Sequence, residues 1–234
     1  MVKGFQTHEK LSAVSPHNPV YLVHASGHAA MVNAAAMTIA DIHSETEVEG
    51  DGEVIKDDQL RPTGILNEKA SNLVKQYIPD PDDAVRARAL TLALEEMARH
   101  GITSFQDAGA GKVEIALFKN FLKQNKLSTR LWVMLNGSDQ ELLLDWYTKG
   151  PEIGLGENFL SIRAIKLVAD GALGTRGAWL LAPYSDRADH VGLPTMSVNY
   201  LEKVSRKAFE KNFQVGIHAI GDRANREVLD VFER

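Results

Sequence analysis

The spacing of apolar and polar positions changes character near residue 101. Before it the pattern is mixed. Val20–His24 (VYLVH) is a short β-branched and aromatic run and predicts a strand. His28–Ala40 (HAAMVNAAAMTIA), rich in alanine and methionine, predicts a buried helix. Glu45–Gln59 is acidic and centred on Gly50-Asp51-Gly52, which predicts a hairpin turn. Thr63–Leu66 then leads into a short helix over Asn67–Tyr77. Asp80-Pro81-Asp82-Asp83 reads as a helix start. Asp80 is the expected N-cap, Pro81 suits the first helical position, and two acids favour the positive end of the helix dipole. Ala87, Leu90, Leu94 and Met97 follow at helical spacing as one apolar face, and Arg99, His100 and Gly101 suit its last turn and stop.

From Gly101 onwards strands and helices alternate. Ile102–Asp107, Arg130–Leu135, Ile162–Val168 and Gln214–His218 predict strands. Val113–Asn125, Gln140–Lys149, Val198–Asn212 and Ala224–Glu233 predict helices, with a long loop between Val168 and Thr195. Strand–helix units in series imply a parallel sheet with right-handed crossovers. Neither a dinucleotide fingerprint nor a P-loop follows any of these strands, which disfavours a nucleotide-binding sheet and leaves a TIM barrel as the alternative.

Composition narrows the function classes. The 234 residues suffice for one or two domains, and a hydrophobic fraction of 44% with a charged fraction of 24% is ordinary for a soluble globular protein. The net charge is −5 and no basic cluster stands out, so nucleic acid is not an expected partner. No apolar run has the length of a membrane span, and Met1–Lys10 lacks the apolar core of a signal peptide, so a cytoplasmic protein is expected. Without cysteine there are no thiolate ligands, and any metal must be held by histidine, carboxylate or modified lysine.

Two stretches carry candidate chemistry. In SIRAIKLVADGALGTRGAWLLAPY (Ser161–Tyr184), Lys166 sits in an apolar run where a charge is costly without a partner. A carbamate formed from its amine and CO2 would offer two anionic oxygens to divalent cations, and burial, by lowering the amine pKa, favours that reaction. The alternative is a solvated strand-end lysine, or one paired with Asp170. In FQVGIHAIGDRAN (Phe213–Asn225), His218 ends a strand and suits zinc, or else is a core histidine bonded to backbone. Arg176 either clamps a substrate carboxylate or carbonyl, or pairs with Asp170. Asp107 either lines the pocket or bonds a neighbouring loop. Asp222 reads as an N-cap, and His24, His43 and His190 lie in no ligand-like spacing.

Four blocks resemble the amidohydrolase superfamily, and within it the amidohydrolase-3 branch of YtcJ-like metal-dependent hydrolases. They are KLVADGALGTRGAWLLAPYSD (Lys166–Asp186), HAIGDRAN (His218–Asn225), GITSFQDAG (Gly101–Gly109) and GHAAMVNAAAM (Gly27–Met37). The resemblance implies an internal fragment with a partial (β/α)8 TIM barrel. An α+β insertion over residues 1–80 would form a substrate-pocket subdomain, and residues 81–234 would carry barrel strands two to five. The His-x-His pair of the family's first barrel strand and its later-strand ligands are absent here. The resemblance further implies Lys166 and His218 as metal ligands, and His28, Asp107, Asp170 and Arg176 as substrate-binding residues. No catalytic acid/base falls within the chain. The implied cofactor is a divalent metal, zinc first, with one or two ions in the intact enzyme. The implied substrate is a small amide or formamide cleaved at a non-peptide carbon–nitrogen bond. The isolated chain is expected to be inactive and to self-associate through open barrel edges. The competing reading is a non-catalytic α/β binding or structural domain.

Overall fold

Pairing of short β-branched runs organises the N-terminal part of the chain. In a computed structural model, which describes residues 6–25, 27–50 and 52–234, this part contains α1 (Glu9–Val14), β1 (Tyr21–Val23), β2 (Ala29–Val32), α2 (Ala34–Ile39), β3 (Glu53–Lys56) and β4 (Pro62–Asn67). A 3-10 turn (Glu68–Ser71) and α3 (Asn72–Lys75) follow. The four strands form an antiparallel sheet in the order β1-β2-β4-β3. Val32, Ala36, Met37, Val54, Leu66, Ala70 and Val74 make its apolar core.

Two expectations change here. His28–Ala40 is not one helix: Ala29–Val32 pairs with β1 and β4, and the helix begins only after Asn33. Sheet pairing has overridden the helical preference of alanine. The turn expected at Gly50-Asp51-Gly52 is centred on a residue outside those described, and β3 and β4 are joined by a turn at Asp57–Leu60. The Asp57 carboxylate accepts from the Gln59 and Arg61 backbones at 2.9 Å each and so closes the turn. Asp51 lies outside the described residues, as do residues 1–5 of the stretch read for a signal peptide. The helix expected from Asp80 starts later, as α4 (Asp83–Arg99), capped by Asp82, whose carboxylate accepts from Val85 N at 2.8 Å.

The second part alternates as expected. After α4 come β5 (Ser104–Ala110), α5 (Lys112–Lys123), β6 (Arg130–Asn136), α6 (Gln140–Lys149), β7 (Glu152–Gly154), the single turn α7 (Leu155–Asn158), β8 (Leu160–Val168), α8 (Val198–Glu210), β9 (Gln214–His218) and α9 (Asp222–Glu233). β5, β6, β8 and β9 are parallel neighbours in that order, and β7 touches β8 antiparallel at Glu152 and Ile162. β5 and β9 each have one strand partner, so among the described residues the sheet is open rather than a closed barrel. One face is saturated: Val133, Leu135, Leu160, Ile162, Ile165 and Leu167 are fully buried, and helices α5, α6 and α8 pack on the sheet. No helix among the described residues is long and apolar enough to cross a membrane.

The chain divides into two compact units. One comprises Met1–Asp80, Asp170–Thr195 and Ile220–Asp222. The other comprises Pro81–Ala169, Met196–Ala219 and Arg223–Arg234.

Within the first unit the fully buried Asn33 makes four hydrogen bonds. Its Oδ1 accepts from Val20 N (2.9 Å) and Ala36 N (3.0 Å), and its Nδ2 donates to Ser15 O (2.7 Å) and Asn18 O (2.9 Å). The side chain therefore caps α2 and ties the loop between α1 and β1 to it. Asn33→Ala would leave several backbone groups unsatisfied and is expected to lower stability by about 3 kcal/mol. Urea titration followed by circular dichroism checks it, and a loss of only a few tenths would contradict the role assigned.

Candidate functional site

Lys166 and His218 lie on adjacent parallel strands. Lys166 pairs in register with Asn136 on β6 and Gly216 on β9, and Val168 pairs with His218. Residues two apart on a strand share a face. Lys166 and His218 therefore point to the same side, near the C-terminal ends of β8 and β9. It is the face opposite the saturated one, and Trp132, Met134, Asn136, Val168 and Gly216 on it are all half-buried. Gly137 lets the turn after β6 close in: its N–H donates to Lys166 O at 2.9 Å, and a Cβ there would stand 2.3 Å from that oxygen. Lys166 is itself half-buried, its amine makes no hydrogen bond or ion pair among the described residues, and burial alone pushes its pKa below the ordinary lysine value. That is the condition for a neutral, nucleophilic amine.

Asp107 goes elsewhere. Its register partner is Val133, on the helix-covered face, and it feels Glu114 of α5. The sheet thus separates Asp107 from Lys166 and His218.

Asp170, two residues beyond β8, is fully buried. Its carboxylate accepts three backbone N–H groups, from Trp179 (2.8 Å), Ile220 (2.9 Å) and Gly221 (2.7 Å). The Asp222 carboxylate accepts from Leu181 N at 2.9 Å. Arg176 pairs with Asp186, not with Asp170. The side-chain hydrogen bond to Asp186 raises the Arg176 pKa, and the same bond holds the Asp186 carboxyl below its usual range. Asp170 is a backbone clamp, and Arg176 closes its own loop.

His28, at the start of β2, meets a residue that sequence reasoning missed. Its Nδ1 lies 3.1 Å from Oε2 of Glu68, which follows β4, and Glu68 N donates to His28 O at 2.8 Å. The Glu68 backbone is left-handed (φ 47°), a conformation that costs a non-glycine residue roughly 1–3 kcal/mol. Its carboxylate rests on two glycines: a Cβ on Gly177 would stand 2.7 Å from Glu68 Oε1, and one on Gly171 3.1 Å. Beside it is a cavity of about 150 Å³, walled by Glu68, Gly171, Thr175, Arg176, Gly177 and His190 among others. His190 Nε2 lies 2.8 Å from Arg176 O, and because a carbonyl only accepts, that nitrogen carries the proton.

The model of the amidohydrolase family matches residues 2–234. The chain belongs to the amidohydrolase family. It is 30% identical over 239 residues to the putative amidohydrolase YtcJ of Bacillus subtilis (strain 168), covering 98% of this chain and 43% of that protein. It is 27% identical over 237 residues to an N-substituted formamide deformylase of Arthrobacter pascens, covering 97% of this chain and 43% of that protein. A crystal structure of an uncharacterized metal-dependent hydrolase from Pyrococcus horikoshii OT3 superposes with a TM-score of 0.72 at 26% identity, over 99% of this chain and 45% of that one. The chain thus spans less than half the length of the curated relatives it matches.

For this amidohydrolase-family chain, Glu68 carried no periodic or motif signal in the sequence, because its partner lies forty residues upstream. His190 was passed over for the same reason: its contact depends on the fold of the 170–195 loop. Among the described residues no group of three or more histidine, aspartate or glutamate side chains converges as a metal centre.

Burial, and then Glu114, raise the Asp107 pKa. A carboxyl with a raised folded-state pKa holds its proton more tightly in the folded chain, so stability falls as pH rises through the carboxylate range. Asp107→Asn is therefore expected to stabilise the protein at neutral pH. The gain should vanish at about pH 3, where the unfolded carboxyl is protonated too. Urea unfolding at both pH values checks the sign.

Proposed function

We propose that this chain supplies part of the active site of a metal-dependent hydrolase that cleaves small amide- or formamide-type carbon–nitrogen bonds outside peptides. The observation that carries the reading is the juxtaposition of Lys166 and His218 on one face of adjacent parallel strands, with an amine that burial pushes towards its neutral form. Family membership supports hydrolysis, and the formamide deformylase among the relatives supports the bond type. The four parallel strands are then part of a (β/α)8 barrel, whose functional side chains lie at the C-terminal strand ends.

By themselves these residues do not make up a metal site. A catalytic zinc takes about three protein ligands and keeps one position open, and the described residues offer no such group. The remaining donors would come from outside this chain. When bound, such a metal polarises a carbonyl and activates water. This chain's own contribution is simpler. The Lys166 amine attacks CO2, loses one proton to solvent, and becomes a carbamate. His218 presents an imidazole to the same face. For the isolated chain no turnover is expected.

The test is made on the protein that carries this chain, with zinc as the metal and N-substituted formamides as substrates. Carbon-13 bicarbonate should give a carbamate signal that Lys166→Met abolishes, and that variant should lose roughly 100-fold or more of the hydrolysis rate. Undiminished hydrolysis in Lys166→Met, or purified protein without stoichiometric metal, would end the reading.

The two open strand edges, β5 and β9, support a second element of the proposal, self-association of the isolated chain. A light-scattering concentration series should give masses above that of one chain. A monodisperse monomer at every concentration removes it.

A further inference from the structure

We propose that the cavity walled by Glu68, Thr175 and the loop from Gly171 to Gly177 is a recognition subsite for a protonated amine on the substrate, with the Glu68 carboxylate as the group that reads it. The inference rests on the hydrolase reading, since it names a feature of that enzyme's substrate.

Size comes first. About 150 Å³ is below the roughly 300–1,000 Å³ of a site that encloses a drug-sized ligand, so the cavity fits one end of a molecule. Hydrogen-bonding capacity comes second. Glu68 Oε2 is engaged by His28 at 3.1 Å. Among the described residues Glu68 Oε1 accepts from the Thr175 hydroxyl at 3.5 Å, and that hydroxyl lies closer to Ala172 O, at 3.1 Å. One hydroxyl proton serves one acceptor, so Oε1 keeps lone pairs for a ligand.

Charge decides which donor. The two guanidiniums in the lining have acids of their own: Arg176 pairs with Asp186, and Arg187 lies 3.9 Å from Asp189. Glu68 has no arginine or lysine partner among the described residues, and Glu53, also in the lining, has the same sign. A partly buried carboxylate with no arginine or lysine against it attracts a cation more than a neutral amide.

The geometry also explains the glycines. Any side chain at position 177 would meet Oε1 at 2.7 Å and push the carboxylate off its seat, whereas glycine lets it lie against the loop backbone. Glu68 is thereby fixed from both ends, by its strained backbone between β4 and α3 and by the surface under its oxygens.

The experiment is a calorimetric titration of this chain with n-butylammonium chloride, sodium butyrate and calcium chloride at matched ionic strength. Saturable binding of n-butylammonium is expected, without binding of butyrate or calcium. Glu68→Gln keeps the shape and removes the charge, and should weaken n-butylammonium binding by about tenfold or more. Thermal melting checks that the variant folds. If it does not, Gly177→Ala carries the comparison, since its Cβ displaces the same oxygen, and the same loss is expected. No binding of n-butylammonium, equal binding in the folded variant, or a preference for butyrate or calcium would overturn the proposal. Loss of the hydrolase reading would show instead as missing metal and missing turnover, neither of which alters this titration.

Discussion

Three backbone N–H groups converging on one buried carboxylate hold the exits of the two strands that matter most. Asp170 lies two residues past β8, and Ile220 lies two residues past β9. Burying a carboxylate is costly unless its lone pairs are met, and here the donors are amides that sequence cannot vary. Ala169 N donates to His218 O at 2.8 Å, so the register of β8 and β9 runs on without a break into this clamp. Gly221 and Gly192 allow the backbone to close over it. A Cβ at either would stand 1.9 Å from a carbonyl oxygen, of Trp179 and Ala178 respectively. The glycine-rich stretch after Asp170 is therefore tied down by backbone hydrogen bonds to that carboxylate.

This explains which parts of the sequence were legible. The alternation after Gly101 is written in local periodicity, because β6 and β8 lie between parallel neighbours and the helices cover one face of the sheet with one apolar stripe each. The shared face of Lys166 and His218 was legible for a related reason: a strand's period of two puts them on one side once the parallel pairing is granted. Closures over long separations were not legible. Ala29–Val32 reads as helix until its two sheet partners are known, and the turn between β3 and β4 depends on the Asp57 carboxylate accepting from two backbone amides. Asp170 and Arg176, neighbours in sequence and opposite in charge, invited a mutual pair. The fold instead gives the first to backbone amides and the second to Asp186. Glu68 was invisible because its neighbours come from strand ends and loops far apart along the chain.

The parallel sheet shows the physical tension that a site requires. Its helix-covered face is filled with fully buried aliphatic residues, and stability there is ordinary core packing. Its other face carries a half-buried lysine that nothing among the described residues neutralises, beside an imidazole. A sequence selected for stability alone would place an aliphatic residue at position 166, in line with Ile165 and Leu167. A chain that keeps an unmatched amine there gives up stability, and such local conflicts with good folding practice gather where chemistry is done.

The same tension runs through the N-terminal unit. Glu68 sits in a backbone conformation that a non-glycine residue avoids, and it occupies space that two glycines leave open. Asn33, in the same unit, shows what a purely structural polar residue looks like: it is fully buried, its four hydrogen bonds are made, and nothing is left over. Glu68 differs on each point. It is partly exposed, it is strained, and one oxygen is only weakly engaged. Strain without full satisfaction is hard to explain as a device of folding. It is readily explained if the missing hydrogen bond arrives with a ligand, because the energy stored in the backbone then fixes the direction of the carboxylate before that ligand binds.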